Sequence, residues 1–414
     1  MSRRRVVVTG MGVISAIGLD KEHFWNNLIT GKSGISAIER FDTTDFPSRI
    51  AAEIKDFNPN DYIAKKDARR MDRFVQYACA AALTAIEDSG LKSNIKQFRN
   101  RTGVVIGSGI GGIETFEEQY NKMLNKGPGF ISPFFIPMMI ANMASGQVAI
   151  MLGVTGPNSC TVTACASATH AIGDAFRIIQ NDKADIMITG GSEAAITAMA
   201  IGGFCAMKAL STHNEEPEKA CRPFDLNREG FVMGEGAGVL ILEELEHALE
   251  RGAIPYAEII GFGSSADAVH MVQPDIEGRG AAAAIRHAII DAGIEPTQVN
   301  YVNAHGTGTQ LNDQMETKAI KDVFGKHSYN LAVSSIKAAT GHTLGAAGAI
   351  ELIATVMSLK EQIIPPTLNL EEPDPLCDLD YVPLQARKAD LRIAISDSLG
   401  FGGHNAAVVV QRMS

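Results

Sequence analysis

The chain has 414 residues, 45% hydrophobic and 20% charged, with 37 Lys and Arg against 47 Asp and Glu for a formal net charge of −10. That balance excludes a disordered or fibrous protein and speaks against a nucleic-acid binder, which needs a net basic face. No run approaches the ~18 apolar residues of a membrane span, the start MSRRRVVVTGMGVIS lacks a signal peptide's small-residue cleavage site, and the six cysteines form no CxxC pair. A cytoplasmic protein with neither a disulfide frame nor a zinc site is expected.

Along the chain, short β-branched runs end abruptly in glycine or small residues. They fall at 5–10 (RVVVTG), 104–107 (VVIG), 186–191 (IMITGG), 239–242 (VLIL), 257–261 (AEIIG), 301–304 (YVNA) and 406–410 (AAVVV). Continuous rather than alternating apolar runs suit strands buried on both faces. Helical spacing predicts a helix over 72–89, with Gly90 as its stop, and a charged helix over 243–251. Two further helices, at 166–180 and 344–359, are rich in Ala and Gly and echo one another. Strands alternating with helices define an α/β layer fold. The echo fits a duplication, although any two Ala-rich helices look alike. A division near 252/253 would give halves of 1–252 and 253–414.

Chemistry concentrates at a few junctions. Cys165 stands where an extended segment meets a helix, in VTACASA, with only small residues after it. A helix N-terminus favours a thiolate, so a lowered thiol pKa is expected, and the free N–H groups there could stabilise an oxyanion. His305 (NAHGTGT) and His342 (TGHTLG) each stand beside glycine at an element's end. Lys337 lies five residues before His342 and Glu351 nine after it; uncharged surroundings predict that Lys337 is a buried, paired ammonium. A lone cysteine or histidine is ordinarily structural. Zinc on Cys165, His305 and His342 is disfavoured, because no pair has short ligand spacing and no fourth ligand stands out.

Taken in order, VTACASA, NAHGTGT, SSIKAATGHTLGAAG and SLGFGGHN resemble the active-site signature of β-ketoacyl-acyl-carrier-protein synthases. The nearest class is the elongating Cys-His-His type, together with the ketosynthase α subunits of type II polyketide systems. GSGIGG (107–112), ISPFFIP (131–137), CRPFD (221–225) and GFVMGEGAG (230–238) extend the likeness over the whole chain. The resemblance implies a five-layered αβαβα thiolase-like fold of two duplicated halves and a decarboxylative condensation of malonyl carrier protein with an acyl chain. It implies Cys165 as the acylated nucleophile, His305 and His342 as donors to the enolate oxygen, and Lys337 with Glu351 as their support. Phe401 would contribute an oxyanion N–H and, with Gly402 and Gly403, form a gate. Thr307 and Thr309 would hold the pantetheine arm, and Ile110 and Phe204 would line the acyl pocket. Phe135 would reach in from a second subunit, while Lys65, Lys66, Arg69, Arg70 and Lys208 would dock an acidic acyl carrier protein.

No metal or redox cofactor is implied, the substrates being carried on phosphopantetheine. A dimer is expected, either of identical chains or with a chain-length-factor-like paralogue. Two alternatives are a non-condensing partner subunit, which would lack the cysteine, and a thiolase, which would need a second cysteine in a C-terminal CxG motif. Several positions depart from the fatty-acid pattern: Gly129 stands for Arg, Val269 for Tyr, Ile336 for Thr, Thr343 for Leu and Asp397 for Asn. They leave fatty-acid and polyketide substrates equally open.

Overall fold

The computed structural model describes residues 3–413. Ten strands form one sheet: β1 (Val6–Ser15), β2 (Thr102–Gly107), β3 (Asn158–Ser159), β4 (Ile186–Glu193), β5 (Gly236–Glu244), β6 (Ala257–Ala266), β7 (Tyr301–Asn303), β8 (Ala332–Ser334), β9 (Ile393–Gly400) and β10 (His404–Arg412). Their spatial order is β8-β7-β9-β10-β6-β1-β5-β4-β2-β3. Outward from the antiparallel β1–β6 junction, one arm runs 1-5-4-2-3 and the other 6-10-9-7-8. Each number in the second arm is five more than in the first. Directions repeat too: two antiparallel pairings, then two parallel ones, in each arm. A repeated order with repeated directions is what a duplicated half-molecule gives, and the fold is the five-layered αβαβα thiolase-like arrangement.

The helices fill the layers. α1 (Arg73–Asp88) lies over β1 and β5, while α3 (Arg279–Ala292) lies over β6 and β10. Between the two arms sit α2 (Ser167–Gln180) and α5 (Ala347–Glu361), and every residue of α5 from Ala347 to Leu359 is buried. A central layer of this kind needs small side chains: a Cβ on Gly348 would lie 1.9 Å from the Thr169 hydroxyl of α2. The Ala and Gly content of the two echoing helices is therefore a packing requirement.

Two expectations need correction. The charged helix at 243–251 is shorter, Leu245–Glu250, because β5 runs on through Glu244. Glu243 can lie within a buried strand since Arg251 and His247 each reach it at 2.6 Å. Strand β9 has no apolar run to mark it in the sequence, because it carries Ser396, Asp397 and Ser398, all buried. No helix among the described residues is long and apolar enough to cross a membrane.

Candidate active site

Cys165 occupies a 3-10 turn, Ala164–Ala166, that leads directly into α2. Ala164 holds φ at +50°, a left-handed value that alanine adopts at a cost and that turns the chain sharply enough to present the thiol. The end of β9 stands opposite. A Cβ on Gly400 would come within 3.3 Å of the Cys165 nitrogen, and the Phe401 N–H lies near the sulfur. The expected thiolate is not what this environment favours. Burial pushes the Cys165 thiol up to about 12, against the opposing pull of Lys337 and the Phe401 N–H. Desolvation in the wall of the core outweighs the helix terminus, so the resting group is a thiol.

His305 and His342 face each other edge to face, their ring centroids 5.2 Å apart, and both are buried. Lys337, also buried, forms an ion pair with Glu351 and donates to the His305 carbonyl at 2.5 Å. Its Nζ also lies 3.4 Å from His305 Nδ1. An ammonium can only donate. His305 Nδ1 is therefore the acceptor and Nε2 carries the hydrogen. Burial, with the Lys337 charge, holds both imidazoles well below the usual histidine range, so they are neutral near pH 7.

Cys165, His305 and His342 line a single cavity of about 470 Å³. Thr307, Thr309, Phe204, Lys208, Phe401 and Gly403 share its wall, and the two threonine hydroxyls lie 3.0 Å apart. Gly402 is outside the lining but hinges the same loop: its N–H donates to Met271 and its φ of +83° requires glycine. Glu351 stands behind Lys337. Ile110 and Phe135 are not in the cavity of this chain; Ile110 is partly exposed, and Phe135 packs near Phe116 at 6.4 Å. Lys65, Lys66, Arg69 and Arg70 are exposed, with Arg70 stacked on Phe134 at 4.6 Å. Cys377 is buried in a separate apolar cluster away from the thiol.

Three buried carboxyl groups stand behind the site: Glu193 and Glu316, which sequence reasoning misses, and Asp397, which the sequence marks only as a departure from Asn. Glu316 accepts from the backbone N–H of His305 at 2.6 Å and of Gly306 at 2.8 Å, and so fixes the histidine's main chain. The NDxxE run at 312–316 of helix α4 (Gln310–Phe324) was the available signal. Asp397 stands close enough to Glu316 for the two charges to oppose each other, and neither of its carboxyl oxygens has a hydrogen-bond partner among the described residues; burial raises both groups, Asp397 to about 7. The native chain thus keeps a proton that the unfolded chain releases near pH 4. The stability linked to that proton falls as pH rises from about 4 to about 7 and stays lost above. Asp397→Asn cannot ionise. It should raise stability at pH 8 by up to about 4 kcal/mol, with the gain shrinking to nothing by pH 4, as denaturant titrations at several pH values would show.

A buried cysteine at a helix-entry turn, two neutral imidazoles on the same cavity and no second cysteine in its lining are the arrangement of a thiolase-fold condensing enzyme of the carrier-protein class. Comparison with known proteins agrees. Residues 3–248 match the family described as Beta-ketoacyl synthase, N-terminal domain, and residues 256–371 match Beta-ketoacyl synthase, C-terminal domain. The chain is 52% identical to 3-oxoacyl-[acyl-carrier-protein] synthase 2 of Synechocystis sp., over 100% of this chain and 99% of the relative. It is 53% identical to the protein of the same name in Staphylococcus aureus, over 99% and 98%. Among solved structures, it matches one described as a type II polyketide synthase acyl-carrier protein in complex with its ketosynthase, at 36% identity and a TM-score of 0.93 over 100% of both chains. The ishigamide ketosynthase/chain length factor matches at 37% and 0.94, again over 100% of both. The chain belongs to the β-ketoacyl synthase family and is an acyltransferase that forms 3-oxoacyl carrier proteins by decarboxylative condensation.

Proposed function

We propose that Cys165 carries the acyl chain and that His305 and His342 drive decarboxylation of malonyl carrier protein. The observation that supports this reading is the convergence of one thiol and two neutral imidazoles on one cavity. In the first step the Cys165 sulfur attacks the acyl thioester. The acyl–pantetheine bond breaks, and the thiol's proton leaves with the pantetheine thiol. In the second, malonyl carrier protein loses carbon dioxide and the bond's electrons become an enolate. The Nε2–H of His305 and an N–H of His342 donate to its oxygen. The enolate carbon then attacks the acyl carbonyl, whose developing charge is met by the N–H groups of Cys165 and Phe401. Collapse expels the Cys165 thiolate, which takes up one proton.

Thr307 and Thr309 would hold the pantetheine arm at the mouth, and Phe204 the acyl chain within. The arm supplies no redox or metal chemistry. The exposed cluster Lys65, Lys66, Arg69 and Arg70, with Lys208 at the cavity, would dock an acidic carrier protein. Charge reversal at Lys65 and Arg69 together should raise KM for carrier-borne substrates about tenfold at low salt, with the effect fading as salt rises. Turnover of a small pantetheine thioester should not change, and parallel kinetics on the two substrates check this.

A second chain is also proposed. Phe116, Tyr120 and Leu124 repeat every four residues along the helix Ile113–Lys126 and are exposed, as are Phe130, Phe134, Ile136 and Ile140 nearby. Soluble monomers rarely expose so much apolar surface together. A second copy or a paralogous chain-length factor would cover it and bring its own Phe135 towards this chain's acyl pocket. Light scattering of Tyr120→Lys should report a loss of dimer. The repeated strand order supports a division into halves at 252/253.

A further inference from the structure

One buried carboxyl group near the Cys165 thiol, outside the cavity lining, has no part in the steps above. Glu193 ends β4, is wholly buried, and has no ion-pair partner among the described residues. Its Oε2 accepts the N–H of Gly109 at 2.7 Å and of Gly345 at 2.9 Å. Its Oε1 accepts the Ser108 hydroxyl at 3.0 Å and the Ile110 N–H at 3.2 Å. Burial pushes this carboxyl above its usual range, and the converging N–H groups and the Ser108 hydroxyl oppose that by favouring the carboxylate.

The duplication accounts for this placement. The turn Ala164–Ala166, with Ala164 at φ +50°, leads into α2; the turn Leu344–Ala346, with Leu344 at φ +49°, leads into α5. The Ala166 N–H donates to Thr163 at 3.1 Å, and the Ala346 N–H donates to Thr343 at 3.0 Å. Cys165 and Gly345 therefore occupy the same place in the two repeats. The eighth residue of β9, Gly400, faces the first turn, and the eighth residue of β4, Glu193, faces the second. Beside Cys165 the repeat leaves an open cavity. Beside Gly345 it sets a carboxylate against the amide, and a Cβ there would lie 2.6 Å from Glu193 Oε2 and 2.2 Å from the Gly109 nitrogen. The second turn is closed to any substrate.

We propose that Glu193 is a positioning residue for condensation: a built-in anion that fills the amide pocket of the second turn and ties the 108–111 segment of one half to the 342–345 segment of the other. The inference rests on the reading of Cys165 and His342 given above. Through Gly345 the carboxylate fixes the loop that carries His342, and through Gly109 and Ile110 it fixes the loop beside the acyl site. Its charge also opposes ionisation of the nearby Cys165 thiol.

The test compares the parent protein with Glu193→Gln and Glu193→Asp, each checked for folding by circular dichroism. Two quantities are read: condensation kinetics with acyl and malonyl carrier protein, and the rate of Cys165 alkylation by iodoacetamide from pH 6 to 9, with the adduct mapped by mass spectrometry. Glu193→Gln should lower kcat at least thirtyfold with KM within twofold, and should raise alkylation at pH 8 about tenfold, since a negative charge near the sulfur is gone. Glu193→Asp keeps the charge but cannot span Gly109 and Gly345. Its alkylation rate should stay within twofold of the parent while kcat falls at least tenfold. Parental kcat or an unmoved alkylation rate in Glu193→Gln would overturn the proposal. If that variant does not fold, parental kcat in Glu193→Asp would do so. A parent that is alkylated at Cys165 but does not condense would refute the site reading instead, and the alkylation comparison would still decide the role of the charge.

Discussion

Cys165→Ala is expected to abolish condensation, by about 10⁴-fold or more, while leaving release of carbon dioxide from malonyl carrier protein measurable. The argument follows from where each group stands. The sulfur is needed to hold the acyl chain and to leave as a thiolate, and alanine can do neither. The enolate's donors are His305 and His342, which the substitution does not touch. Their rings pack against each other and, for His342, against Phe231 at 5.3 Å, so they keep their places without the thiol. Losing either imidazole has the converse signature. His305→Ala or His342→Ala removes one donor from the developing enolate, and a single such donor is worth about 10²–10³ in rate. Acyl transfer to Cys165 should persist in both, read as a mass increase on the cysteine after mixing with acyl carrier protein. Carbon dioxide release and acylation are thus separable. A Cys165→Ala variant that still extended acyl chains would remove the thiol from the mechanism.

Much of this site could be read from residue order alone because its chemistry sits at chain junctions. Cys165, His305 and His342 each follow or precede a glycine or small residue at an element's end, and such positions carry recognisable spacing. The Lys337–Glu351 pair was legible for a different reason: a lysine among Ile, Ala and Ser has no solvated face to occupy. What the order of residues could not give was the balance of opposing terms. Cys165 does stand at a helix start, yet the cost of burying a thiolate exceeds what that start returns, and only the packing around the turn reveals it. β9 was hidden because Ser396, Asp397 and Ser398 look like a loop until their neighbours are known. Glu193 was hidden too. Its donors come from residues 108–110 and 345, and nothing in the local sequence links them. The repeated strand order shows why the two arms meet there, since each arm's central strand ends against the other arm's helix-entry turn.

Glu351→Ala should destabilise the protein by about 3–5 kcal/mol, because it leaves the Lys337 ammonium buried with no counter-charge. Lys337 is 1% exposed and cannot reach water. The melting temperature should fall by about 4–6 °C, and Lys337→Met in the same background should recover part of the loss by removing the stranded charge. Lys337→Met alone tests a second consequence of the pair. The ammonium helps to hold His305 and His342 uncharged, so its removal should let both rings titrate closer to the ordinary value near 6.5. A cationic imidazole would stabilise the malonyl carboxylate, the group that must be lost as neutral carbon dioxide, and so would slow decarboxylation. In the parent the rate should stay level as pH falls through 6.5. In Lys337→Met the acid limb should move up by about one pH unit. Stability follows the same sign: with native histidines held below 6.5, the unfolded chain gains protons first as pH falls, so these two groups cost stability below about pH 6.5 and less so once Lys337 is gone. A pH–rate profile of carbon dioxide release, identical in shape for the parent and Lys337→Met, would show that the ammonium does not set the charge of the histidines.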